Sequence, residues 1–229
     1  MAFFVNLMIS TLAIILSIFL IGIVHEIGHY VVARFIMKEE NVKIVMGFFG
    51  KPIFDSKRFT INKWFFAGAY VGNYSDGEAK KSHMMLLFSA GGFFMILMGI
   101  PLALYLTGGN ISIGNLINFE GIIPFRPIRE DLFSDRAILQ AGFVAPWLSL
   151  TAQDFLNLFL LRMQNLNAFI LVFVVVPYFY PLRGSGKWHW NPSDAMWVLK
   201  YALNKVSEKD TANAMSLVGE NAGEKQEEN

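Results

Sequence analysis

His25, Glu26 and His29 lie in the stretch IVHEIGHYVVARF, residues 23–35, within one of the most apolar parts of the chain. On a helix, side chains four positions apart share a face, so the two imidazoles can hold one ion with Glu26 beside them. Imidazole is a good zinc ligand, and a centre with three protein donors keeps a fourth position for a water whose pKa the ion lowers toward neutrality. Glu26 would take that proton and later deliver it to a leaving amine. In a soluble helix, three specified residues are weak evidence because the pattern arises often by chance. Lipid changes the weighting: a carboxylate between two histidines costs on the order of several kcal/mol unless it is paired or metal-linked.

The solvent of the motif follows from composition. The chain of 229 residues is 54% hydrophobic and 15% aromatic, with 22 Phe and only 16% charged residues, against roughly a quarter charged in soluble domains. That is the composition of a membrane protein. A formal net charge of +1, with no basic stripe and no interleaving of aromatic and basic residues, gives no basis for nucleic-acid binding. Cysteine is absent, which excludes disulfides and thiolate metal sites and leaves His, Asp and Glu as the available ligands.

The elements that must position the motif are apolar runs. Residues 3–24 carry no charge, and the run continues through the motif to Met37. It lacks the basic start, short apolar stretch and small-residue cleavage site of a signal peptide and reads as a spanning helix, about 3–37. The run exceeds the roughly 20 residues that cross the hydrocarbon, so the helix must tilt or project, with the motif toward its C-terminal end. A second span covers 83–106, where Gly91 and Gly92 offer the close backbone approach that favours helix packing in lipid. Residues 107–136, rich in Gly, Asn, Pro and charge, read as an exposed loop. Segment 137–161 is apolar but carries Gln140, Pro146, Gln153 and Asp154, so crossing, re-entry and a surface position are all compatible with it. A further span runs over about 165–182 and ends in two prolines that should loosen its helix.

Nine basic residues between 34 and 81 place that region in the cytosol by the positive-inside rule, and the basic stretch after 182 should share that side. The simplest solution has three crossings, with 137–161 re-entrant or peripheral; four would put the C-terminus outside. Segment 42–71 weakly alternates aromatic and polar residues and predicts short strands or a membrane-hugging hairpin. Residues 192–206 space Met196, Leu199, Leu203 and Val206 along one helical face. The expected fold is an α-helical membrane protein with three to four transmembrane helices and a short β-hairpin or re-entrant segment at the membrane edge. Residues 1–206 form its single domain, and 207–229 form a disordered polar tail.

HEIGHYVVAR resembles the zinc motif of the site-2 protease family of intramembrane zinc metalloproteases. FFAGAYV at 65–71 and SAGGFFMI at 89–96 are similar to the family's Gly-rich approach segment and Ala-Gly-Pro helix, with Gly92 where the family prefers Pro. The likeness covers most of 5–200. It implies a three-helix catalytic core binding one Zn2+ and cleaving a peptide bond in a transmembrane protein substrate, within or at the edge of the lipid bilayer. A multi-pass protein of a prokaryotic cell membrane is the expected setting.

The family's third ligand is an Asp in a Pro-x-x-Pro-Leu-Asp-Gly stretch. The matching stretch here is PYFYPLRGSGKWHWNP, 177–192, with Arg183 in the Asp position, and an Arg cannot ligate zinc. Asp194 is the leading substitute, although Asn191, Pro192 and Asp194 also make a helix start, with an N-cap, Pro at N1 and an acid at N3. Asp154 is the second, provided that 137–161 crosses. His189 is an apt ligand but sits in KWHWN, where an aromatic belt at the membrane surface is the better reading. His83, beside Lys80 and Lys81, reads as interfacial, and Trp147, Trp188, Trp190 and Trp197 as surface anchors. Two rivals stand beside the protease: a catalytically inactive homologue that binds membrane segments as a scaffold or regulator, for which Arg183 speaks, and a small transporter, against which speak the few spans and the lack of paired repeats.

Overall fold

The computed structural model describes residues 2–48, 50–66, 68–72, 80–107, 152–184, 187–203 and 205–206. The expected loop at 107–136, all but the last ten residues of 137–161 (Trp147 included) and the expected disordered tail lie outside the described residues, apart from Thr107 itself.

Helix α1, Ala2–Val31, runs without a charge or proline as far as the motif and continues through one wider turn at Val32–Ile36. It stops where Met37 N–H and Glu39 N–H bond the carbonyls of Val32 and Ala33, both at 3.0 Å, and Lys38 turns into the left-handed region at φ 63°. Helix α2 covers Lys81–Thr107 and passes through Pro101, which lacks the N–H that would bond the Leu97 carbonyl. Among the described residues, two stretches are long and apolar enough to cross a membrane: Thr11–Ile36 and Lys81–Leu106, each of 26 residues. At 1.5 Å per residue each is about 39 Å long, more than the ~30 Å of hydrocarbon.

Between them, segment 42–71 is more than a hairpin. Strands β1 (Lys43–Met46), β2 (Pro52–Asp55), β3 (Phe59–Asn62) and β4 (Ala69–Gly72) form one mixed sheet in the order β2-β3-β1-β4. β1 is parallel to β3 and antiparallel to β4. The sheet's inner strand is apolar and buried at Ile44, Val45 and Met46, whereas every residue of β2, at one edge, is exposed. Lys43 pairs with Asp55, and the Thr60 hydroxyl donates to the same carboxylate at 2.5 Å, tying β1, β2 and β3 together.

The C-terminal half departs from the expected segmentation. The separate segments 137–161 and 165–182 are joined, because helix α3 runs unbroken from Ala152 to Val175. Arg162, Met163 and Gln164, which lie between those two segments, are good helix formers. The helix ends before Pro177, which drives the preceding residue out of helical conformation, and residues 179–182 are strand rather than loosened helix. Strands β5 (Phe179–Gly184) and β6 (Lys187–Pro192) form an antiparallel pair, followed by helix α4, Asp194–Ala202. The N-cap of α4 is Ser193, not Asn191: its Oγ accepts from Met196 N–H, so Asp194 occupies the first helical position. The face of α4 carrying Leu199 and Leu203 is exposed, while Trp197 and Tyr201 stack on Phe88 of α2 at 5.5 and 6.2 Å.

The chain divides into two compact units. One comprises Met1–Ile21 with Met95–Val172, and its core includes Ala13, Met95, Ala103, Leu106 and Ala168. Within it Asn167 donates to the Met95 carbonyl at 3.2 Å. The other comprises Gly22–Phe94 with Phe173–Asn229 and holds the motif, the sheet, the hairpin and α4; its core includes Val32, Ala33, Val42, Met46, Met84 and Leu87.

Candidate metal centre

The second unit assembles its centre from three places. His25 and His29 stand one turn apart on α1, with ring centroids 4.6 Å apart and planes nearly perpendicular. Asp194 comes from the first position of α4. Its Oδ2 lies 3.2 Å from His25 Nε2 and 3.2 Å from His29 Nε2, and the two Nε2 atoms are 3.0 Å apart. Donors about 2.0–2.1 Å from a tetrahedral zinc lie about 3.3 Å from one another. This triangle has nearly that edge, and among the described residues these three make the one group able to hold a metal.

The hydrogen bonds around the triangle favour a cation at its centre. His29 Nδ1 donates to the Leu87 carbonyl of α2 at 2.7 Å, which leaves the ring's Nε2 as the nitrogen facing His25 and Asp194. An acceptor of this kind on the far nitrogen is what fixes a ligating imidazole in its tautomer and orientation. Burial by itself would raise the pKa of the Asp194 carboxyl; charge and hydrogen bonds from the two imidazoles outweigh it and hold the carboxyl well below the usual range. Glu26 is 5% exposed and lies within the electrostatic reach of His29, His25 and Asp194.

Two glycines let α1 and α2 meet here. A Cβ on Gly28 would run into the Ala90 carbonyl group, and one on Gly91 would lie 2.6 Å from both His25 Nδ1 and His29 Nε2. The imidazoles therefore pack on bare backbone. The sequence marks Gly91 as a packing residue but does not show that it borders the imidazoles.

Asp194 reaches the triangle because the β5–β6 hairpin closes on itself. Ser193 N–H donates to the Tyr178 carbonyl at 2.8 Å, and Tyr178 N–H donates to Ser193 Oγ at 3.1 Å, so the chain returns to Tyr178 after its excursion through 179–192. Ser193 Oγ also donates to the Val176 carbonyl at 3.3 Å. In space, Asp194 follows almost directly on Tyr178. Arg183 pairs with Trp188 four steps up the ladder from the Phe179–Pro192 pair at the hairpin's base, about 13 Å along the strands. Its backbone stands away from the ligand position that the resemblance assigned to it. His189 lies on β6 opposite Leu182. Asp154 lies in the first turn of α3, in the other unit, and its side chain is outside the described residues. His83 is in the first turn of α2.

Sequence reasoning missed two positioning groups. The Leu87 carbonyl leaves no trace in residue type. Ser193 does leave one, a Ser directly before DAMWVL, but the neighbouring Asn191-Pro192 pair offers a competing helix start.

Comparison with known proteins gives one finding. Searches of curated proteins and of solved structures return no match, whereas the profile of peptidase family M50 matches residues 13–222, a range that contains the whole triangle and Glu26. A match over that much of the chain, on top of an HExxH helix packed against a Gly-rich one, establishes that it belongs to peptidase family M50, the membrane-embedded zinc metallopeptidases that include the site-2 proteases.

Proposed function

We propose that the protein is an active zinc-dependent intramembrane endopeptidase in which His25, His29 and Asp194 hold one zinc ion and Glu26 is the general base. The observation that carries this reading is the near-tetrahedral spacing of the three donors, 3.0, 3.2 and 3.2 Å, with a buried carboxylate beside them. Zinc in that place would supply a Lewis acid for the scissile carbonyl and acidify a water. Glu26 accepts a proton from the attacking water as its oxygen adds to the carbonyl carbon, then returns the proton to the nitrogen as the C–N bond breaks, giving an acid and an amine. The Leu87 carbonyl keeps His29 in the ligating tautomer, and Ser193 keeps Asp194 at the centre.

The substrate in this reading is a transmembrane segment of another protein, unwound locally so that its peptide bond can be reached. The exposed edge strand β2 is suited to receive such a segment by strand addition. We assign α1 and α2 as crossings and α3 as a third, with 34–81 on the cytosolic side of a prokaryotic cell membrane and 1–206 as one functional domain. The inactive-homologue reading rests on Arg183, and the return of the hairpin, which delivers Asp194 instead, weakens it. The test is zinc content together with cleavage of a transmembrane substrate: wild type binds one zinc and cleaves, whereas Glu26→Gln binds zinc and does not cleave. Zinc binding without cleavage by the wild type, across a panel of transmembrane substrates, favours the scaffold.

A further inference from the structure

The hairpin that returns Asp194 to the centre is itself unexplained by the hydrolytic chemistry. Its two strands of six residues are each about 20 Å long, and an isolated two-stranded hairpin is marginal in water. Between Phe179 and Ser193 there are four aromatic residues (Phe179, Tyr180, Trp188 and Trp190), two cations (Arg183 and Lys187), and no acid. Trp190 is 71% exposed and Phe179 45%. Helix α4, packed beside β6, adds Leu199 and Leu203 on its exposed face, and its Lys200 lies over the rings of Phe179 and Trp197 at 5.4 and 5.0 Å.

Aromatic rings seek the level of the headgroups, and cations placed among them complement anionic lipid. We infer that the β5–β6 hairpin and the outer face of α4 form an arm that docks on anionic phospholipid headgroups at the membrane surface. Substrate peptide is the other occupant to be tested; the surplus of positive charge without any acid favours an anionic lipid surface. The inference does not depend on the metal chemistry, since it concerns a segment outside the donor triangle and is read without zinc.

The experiment uses the full chain reconstituted in vesicles of phosphatidylcholine, or of phosphatidylcholine with about a quarter phosphatidylglycerol, each containing lipid brominated high on the acyl chain. Fluorescence quenching lost on Trp190→Phe reports the depth of Trp190. The expected result is quenching of that component, stronger with phosphatidylglycerol, and reduced to the phosphatidylcholine level by Arg183→Gln with Lys187→Gln. Each of these cations should favour docking about five-fold. Raising salt to about 0.5 M should have the same effect on the unaltered protein, so the outcome does not depend on how the variant folds. Absence of quenching, equal quenching in both lipids, or quenching that appears only when a transmembrane peptide is added would each overturn the inference, the last in favour of a substrate-binding arm.

Discussion

Replacing Gly91 with alanine perturbs the centre without touching any donor. The new methyl carbon would press hardest on His25 Cε1 and sit 2.6 Å from His25 Nδ1 and from His29 Nε2, so that at least about 0.8 Å is missing to the 3.4 Å at which ordinary contact begins. Either both rings move, or the helices part and give up the close contact of Gly28 with Ala90. A displacement of about 0.8 Å is roughly four times the ~0.2 Å latitude of a metal–ligand bond. It also pulls His29 from its 2.7 Å bond to the Leu87 carbonyl, and loss of such an outer partner alone typically lowers metal affinity 10- to 100-fold. Gly91→Ala should therefore weaken zinc binding by at least about 100-fold, measured by competition with a chromophoric chelator. Gly92→Ala is the control on the same helix: among the described residues its Cβ meets only the Val174 side chain, at 3.2 Å, and zinc affinity should stay within about three-fold of wild type. Equal zinc affinity in Gly91→Ala and wild type would refute the packing of the imidazoles on bare backbone.

Ser193→Ala removes the N-cap of α4 and both side-chain bonds at the base of the hairpin. It should destabilise the protein by about 1 kcal/mol and lower zinc affinity about ten-fold; unchanged affinity would mean that Asp194 is held by other contacts. Glu26→Gln should bind zinc like the wild type yet cleave a transmembrane substrate about 10²- to 10⁴-fold more slowly, and comparable turnover would remove Glu26 from its role. Hydrogen bonds from Lys43 and Thr60 and the Lys43 charge hold the Asp55 carboxyl below its ordinary value of 3.8. Its folded pKa is the lower one, so its stabilisation of the sheet is present above the ordinary value and fades as pH falls through the folded value. Hydrogen exchange of β1–β3 amides should show this acid loss in wild type and not in Asp55→Asn, and identical profiles would contradict it.

What could be read from residues alone was whatever depends on composition or on local spacing. Helices α1 and α2 fall on the runs 3–37 and 83–106 because long apolarity is a strong signal, and the two imidazoles share a face because four residues nearly complete a turn. The sheet was less legible: β1 and β3 pair in parallel, a non-local contact that alternation cannot reveal. Arg162 and Gln164 lie between the two expected segments, yet a charged or amide residue costs a helix little in propensity, and α3 runs through them. The hairpin was hidden by Pro181 and Pro192, which read as loosened helix and helix start but sit on strands of a ladder that is two-stranded among the described residues. Asp194 could be ranked only as a candidate, because its position depends on how a 14-residue excursion, 179–192, closes between Tyr178 and Ser193.

The most direct measurement is zinc X-ray absorption on the purified full chain loaded with one equivalent of zinc, beside His25→Ala and Asp194→Ala. The expected result is one tightly bound ion with two imidazole nitrogens and light-atom oxygens at about 2.0–2.1 Å, and a loss of affinity in both variants. Zinc that binds with an unaltered shell after either substitution, or a protein that takes up no zinc at all, would contradict it.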